Sequence, residues 1–83
     1  MSHLKEFKFN KIPLKFLISS DADDSVFNEI FVERDYKILD PAIISAKSCI
    51  IDIGGHKGMF AIYARCLNEK VPIFVYEPEE ENF

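Results

Sequence analysis

The residues best suited to chemistry lie in one stretch, Asp52-Ile53-Gly54-Gly55-His56-Lys57-Gly58, with Glu77 about 20 residues beyond its last glycine. An acid at the end of a strand followed by glycines suits a nucleotide. The glycines let backbone N–H groups approach a ligand with no Cβ in the way, and a carboxylate accepts hydrogen bonds from ribose hydroxyls. The glycine spacing then limits which nucleotide. A dinucleotide fingerprint needs glycines at i, i+2 and i+5, whereas here they fall at i, i+1 and i+4, with His56 and Met59 in the other two places. A P-loop is excluded too, because Lys57 precedes Gly58 and no Lys-Ser or Lys-Thr pair follows.

Other reactive residue types are sparse. Cys49, Cys66, His3 and His56 are scattered without the close C-x-x-C or H-x-x-x-H spacing that zinc favours, so no metal site is expected. Both cysteines sit in apolar surroundings and read as small buried hydrophobes. Asp21, Asp23 and Ser25 resemble the start of a calcium loop, but Val26 stands where the loop needs Gly and Val32 where it needs Glu.

The elements that must position the glycine-rich stretch are legible around it. Cys49 to Ile53 is a short apolar run of the kind buried on both faces of a parallel sheet. From Gly58 to Glu69 the residues Met59, Phe60, Ala61, Ile62, Tyr63, Ala64, Cys66 and Leu67 predict a largely buried helix. Pro72 separates it from a second apolar strand, Ile73 to Tyr76, after which Glu77-Pro78 suits a helix start. The whole is one βαβ unit with its crevice at the carboxyl ends of the strands.

Upstream, Phe7 and Phe9 alternate with polar residues, and the alternation resumes as Ile12, Leu14, Phe16 and Ile18. The phase change at Asn10-Lys11 predicts a hairpin, with Pro13 favouring an edge strand. Ser19 to Asp24 reads as an acidic loop. Asp24 or Ser25 then caps a helix whose stripe is Val26, Phe27, Ile30, Phe31, Arg34 and Ile38, limited by Pro41. The chain thus divides into a hairpin and helix over 1–47 and a βαβ unit over 48–83.

With 83 residues the chain is one small domain at most, and 48% hydrophobic residues give it a core. The net charge of -4 is uneven. Lys5, Lys8, Lys11 and Lys15 outweigh Glu6 in the first twenty residues, and Glu77, Glu79, Glu80 and Glu81 crowd the end. No basic face emerges, so nucleic acid is not an expected partner. Lys and Glu interrupt the N-terminal apolar residues and no run approaches a membrane span, which leaves the cytoplasm as the expected compartment.

Ile50-Ile51-Asp52-Ile53-Gly54-Gly55-His56-Lys57-Gly58 with Tyr76-Glu77-Pro78 and Asn82-Phe83 resembles the FkbM-type methyltransferases, which use S-adenosylmethionine. Their pattern is Asp-Ile-Gly-Ala-Asn-x-Gly, a small apolar helix and a strand ending in Glu-Pro. Asn28-Glu29-Ile30-Phe31 and Asp35-Tyr36 are similar to the helix that precedes the family's core. The resemblance implies a partial Rossmann-like α/β fold and a cofactor site of Asp52, Gly54, Gly55, His56, Gly58, Glu77, Pro78 and Tyr36. It also implies O-methyl transfer in complete relatives.

Within that site Gly54 and Gly58 are expected to admit the cofactor and to let the helix pack tightly on the strand. Glu77 is expected to bind the ribose hydroxyls or to cap a helix. Asp52 anchors the turn or reaches the methionine amino end, directly or through water. His56 lines the pocket or merely fills the first helical turn, and Tyr36 covers the cofactor or joins the core. A full methyltransferase sheet needs on the order of 150–200 residues. The sequence therefore reads as the N-terminal part of such an enzyme, inactive alone and with an unknown acceptor and catalytic base. The rival reading is a small non-catalytic α/β module that self-associates. A homo-oligomer formed through open sheet edges is expected on either reading.

Overall fold

The computed structural model describes residues 2–54 and 58–76. It is a small α/β arrangement of two separate two-stranded sheets and three α-helices. Strand β1 (His3–Phe9) pairs antiparallel with β2 (Ile12–Ile18), Phe9 opposite Ile12 and Phe7 opposite Leu14. Asn10 and Lys11 turn the chain with φ of 53° and 68°. Two successive positive φ values define the tight hairpin turn whose twist matches that of the strands. The inner face carries Phe7, Phe9, Leu14, Phe16 and Ile18 to the core. Lys5 lies on it too, its ammonium over the Phe27 ring and 2.5 Å from Asp24.

Helix α1 (Asp21–Phe27) begins earlier than the sequence suggested. Ser20, not Asp24 or Ser25, is the cap: its Oγ accepts from the Asp23 N–H, and Asp23 accepts from the Ser19 N–H in return. The acids read as a loop are the first turn, where their charge favours the helix dipole.

Nor does one helix carry the whole predicted stripe. The chain widens into a π turn, Asn28–Val32, and Arg34 then adopts a left-handed φ of 60° that ends it. Phe27, Ile30 and Phe31 reach the core, whereas Ile38 lies in a separate 3-10 turn, Lys37–Leu39, and is 85% exposed. Pro41 starts an element instead of stopping one, since it occupies the first turn of α2 (Asp40–Ser45).

Strand β3 (Ile50–Ile53), helix α3 (Met59–Leu67) and strand β4 (Ile73–Tyr76) form the expected βαβ unit, with β3 and β4 parallel. The strands are not buried on both faces, however. Asp52 is buried, but Ile51, Ile53, Phe74 and Tyr76 lie in the open, because a pair of strands with helices on one side leaves the other side bare. Cys49, expected inside, is exposed just before β3, while Cys66 is buried and its thiol is pushed up by that burial.

One hydrophobic cluster serves the described chain and draws on both sides of residue 47, from Phe9, Phe16 and Phe31 to Met59, Tyr63 and Cys66. Phe9 stacks on Tyr63 at 5.1 Å between centroids. Asn10 fastens the hairpin turn to the end of α3 by donating to the Cys66 carbonyl at 2.8 Å.

Candidate functional site

Gly54 directly follows β3 and Gly58 directly precedes α3. The Gly54 N–H donates to the Tyr76 carbonyl at 2.7 Å, which carries the parallel ladder to the carboxyl ends of both strands. Gly54 and Gly58 have φ of 69° and 84°. Side chains with a Cβ rarely adopt such values, so the backbone conformation demands glycine at both positions.

The expected tight helix–strand contact is not the reason for these glycines. A Cβ built on Gly54 or Gly58 meets nothing within 4 Å among the described residues. No described side chain therefore crowds the backbone at Gly54 or Gly58.

Asp52, registered opposite Val75, is 7% exposed, so its side chain is buried in the structure and not open to solvent. Tyr36 is half-buried and meets Phe60 of α3 edge-on at 5.3 Å. That contact brings it to the start of α3, two residues from Gly58, although it sits between the π turn and the 3-10 turn and not on a helix end. An apolar groove of about 280 Å³, with Leu39, Ile43, Cys49, Ile50 and Phe60 in its walls, opens between α2 and β3 beside that pair. Gly55, His56, Glu77 and Pro78 lie outside the described residues.

A second hollow, about 480 Å³, lies on the hairpin between Phe7, Lys8, Leu14 and Lys15, with none of the described candidate cofactor residues in its walls. Among the described residues no group of three His, Cys, Asp or Glu side chains is placed to hold a metal ion. No described helix is long and apolar enough to cross a membrane.

Two polar constellations behind the turn escaped the sequence reading. In the first, Arg34 donates through Nη2 to Asp40 and to the Tyr63 hydroxyl, the latter at 3.0 Å, while the Tyr63 hydroxyl donates to Asp40. The guanidinium also lies over the Phe9 and Tyr63 rings, 5.0 and 5.6 Å from their centroids. Burial, then the Asp40 hydrogen bond, pushes the Tyr63 phenol above its ordinary range, with Arg34 opposing. Arg34 in turn is held above its usual value, first by its bond to Tyr63.

The second is Asn68, buried just after α3. Its amide donates to the carbonyls of Ile43 and Ala46 at 2.9 and 3.1 Å, and its carbonyl accepts from the N–H groups of Lys70 and Val71. One side chain thus ties the end of α2 to the loop that leads into β4. Asn68→Ala leaves two acceptors and two donors, buried or part-buried, to find other partners, and is expected to cost about 2 kcal/mol. Urea denaturation measures it, with a midpoint shift at constant slope expected; a loss below about 0.5 kcal/mol would show that water replaces the bracket freely.

No protein-family model, curated protein or solved structure matches the chain.

Proposed function

We propose that the β3–α3 turn is half of a cradle for S-adenosylmethionine of the kind used by FkbM-type methyltransferases. The observation that carries this reading is the parallel β3–α3–β4 unit with two glycines at positive φ, four residues apart, at the carboxyl end of its strands. That is where open α/β sheets hold nucleotides. Among the described residues nothing lies within 4 Å of a Cβ built on Gly54 or Gly58, which is compatible with a cofactor approaching the backbone there.

On this reading Glu77, directly after β4 in the sequence, accepts hydrogen bonds from the ribose hydroxyls, and Pro78 follows it in the motif. Gly55 and His56 belong to the same cofactor motif by their place in the sequence, and Asp52 anchors the turn or reaches the methionine amino end. Tyr36, held against Phe60, borders the site at the start of α3. The cofactor would supply an electrophilic methyl group on a sulfonium. Its transfer is an in-line displacement that needs donor and acceptor held together. One βαβ step positions only part of the donor, so binding without turnover is expected of this chain alone; O-methylation belongs to longer proteins of the kind it resembles.

Titration calorimetry with S-adenosylmethionine and with its demethylated product tests the reading. Saturable binding in the range of about 0.1–1 mM is expected, weakened at least about tenfold by Glu77→Ala. Absence of saturation by either compound, or a Glu77→Ala variant that binds unchanged, overturns it. Transfer of a labelled methyl group by the isolated chain would overturn the claim that it does not turn over.

A further inference from the structure

We infer that the bare face of the β3–β4 sheet is a contact surface for a second copy of this chain. Ile51 stands opposite Phe74 and Ile53 opposite Tyr76 in the parallel register, so the four side chains share one face. They are 65%, 57%, 69% and 61% exposed respectively. Asp52 is the one charged residue of the two strands, and it is buried on the other side.

Three physical arguments select the occupant. Parallel strands depend on cover from both faces, and a pair of short strands is marginal without it. Something apolar therefore gains by lying on this face. The second argument is area. Since an aromatic side chain offers about 150–250 Å² and isoleucine somewhat less, the four expose roughly 500 Å² at these exposures. Two copies together would remove roughly 1,000 Å² from water, the lower bound for a specific interface.

The third argument is charge and symmetry. The chain is acidic overall, with a net charge of -4, yet the four side chains of the patch carry no charge, so none of them repels a like-charged copy. A face packed on its own twin about a two-fold axis also closes, giving a dimer and not a fibre. Pairing through the sheet edges, the route suggested by the sequence, would leave the same four side chains in water. The face is thus the preferred surface, and this holds whether or not the β3–α3 turn binds a cofactor.

Sedimentation equilibrium from about 10 µM to 1 mM tests the inference. The mass is expected to rise toward twice 9.6 kDa, with a dissociation constant of about 10–500 µM, in keeping with so small an interface. Ile51→Glu, which places like charges across the two-fold axis, is expected to raise that constant more than about tenfold. Its far-ultraviolet dichroism should match the parent's. Should the glutamate variant unfold, Ile51→Thr keeps the β-branched shape and is expected to weaken association by about threefold to tenfold. A monomer throughout the range overturns the inference, and so does a dimer that these substitutions leave unchanged.

Discussion

Replacing Phe31 by alanine is expected to lower stability by about 4 kcal/mol, the largest effect of any single substitution considered for this chain. Phe31 is 2% exposed, and its ring meets five others: Phe7, Phe9, Phe16, Phe27 and Tyr63, at centroid distances of 5.2 to 6.1 Å. It therefore joins the hairpin, the end of α1 and helix α3 in one contact. Truncation removes the transfer free energy of a phenyl ring and leaves a cavity that rigid neighbours close only in part. At 0.05–0.15 kcal/mol per residue the whole chain is expected to have roughly 4–12 kcal/mol of stability, so Phe31→Ala takes it close to unfolding. Ile38→Ala is the control. The helical stripe treats Ile38 as Phe31's equal, but at 85% exposure its truncation should stay within about 0.5 kcal/mol. Urea unfolding of the two variants separates the readings; equal losses would restore the single long helix.

The contrast between Phe31 and Ile38 also shows why parts of this fold are legible in the sequence and others are not. The hairpin is read correctly because two signals agree, a period of two on both strands and a phase change at the turn. Asn10-Lys11 shows that the turn conformation is imposed from outside, since lysine has no local reason to adopt φ of 68°. Helix α3 and its flanking strands are equally plain, because apolar runs separated by Gly58 and Pro72 have few other ways to fold. The middle of the chain misleads because periodicity assumes 3.6 residues per turn. The π turn adds a residue, and Arg34 reverses the chain in a conformation that arginine seldom adopts. Pro41 is ambiguous by nature, because the same missing N–H that ends a helix is harmless in its first turn.

The candidate site divides along the same line. Gly54 and Gly58 stand out in the sequence by their spacing after a strand, and what the backbone asks of glycine there is positive φ and not close packing against described residues. Tyr36 comes to the start of α3 by way of Phe60, a contact across 24 positions that no local pattern reveals. Arg34, Asp40 and Tyr63 were invisible as a group for a similar reason: 6 and 29 positions separate Arg34 from its two partners. The left-handed Arg34 that breaks the helix is also what turns its side chain toward α3. The misread helix and the missed cluster are therefore one event.

Arg34→Ala is expected to cost about 3 kcal/mol, because it leaves the Asp40 carboxylate, 18% exposed, with the Tyr63 hydroxyl as its one remaining side-chain partner among the described residues. The stacking of the guanidinium on Phe9 and Tyr63 is lost at the same time. Two facts hold the figure below that of Phe31→Ala. The Arg34 side chain is 30% exposed, so water screens part of the attraction, and its Nε is buried with no hydrogen-bond partner among the described residues. Backbone strain gives an internal check. At φ of 60° alanine retains the left-handed penalty and glycine escapes it, so Arg34→Gly should be about 1 kcal/mol more stable than Arg34→Ala. The cluster also carries a pH signature. The fold favours the neutral Tyr63 phenol, chiefly through burial and then through its bond to Asp40, so the phenol titrates above its ordinary 10.0. The stabilisation is full below that ordinary value and is lost as pH rises through the raised folded value. Tyr63→Phe, which keeps the ring, should therefore reduce the loss of stability in this alkaline window, measured by urea unfolding at a series of pH values. Arg34→Ala, by removing the one charge that draws the phenol down, should raise the Tyr63 titration further in a phenolate absorbance measurement. An alkaline loss that Tyr63→Phe leaves untouched, together with a phenol that does not respond to Arg34→Ala, would reduce the cluster to a surface ion pair beside an ordinary core tyrosine.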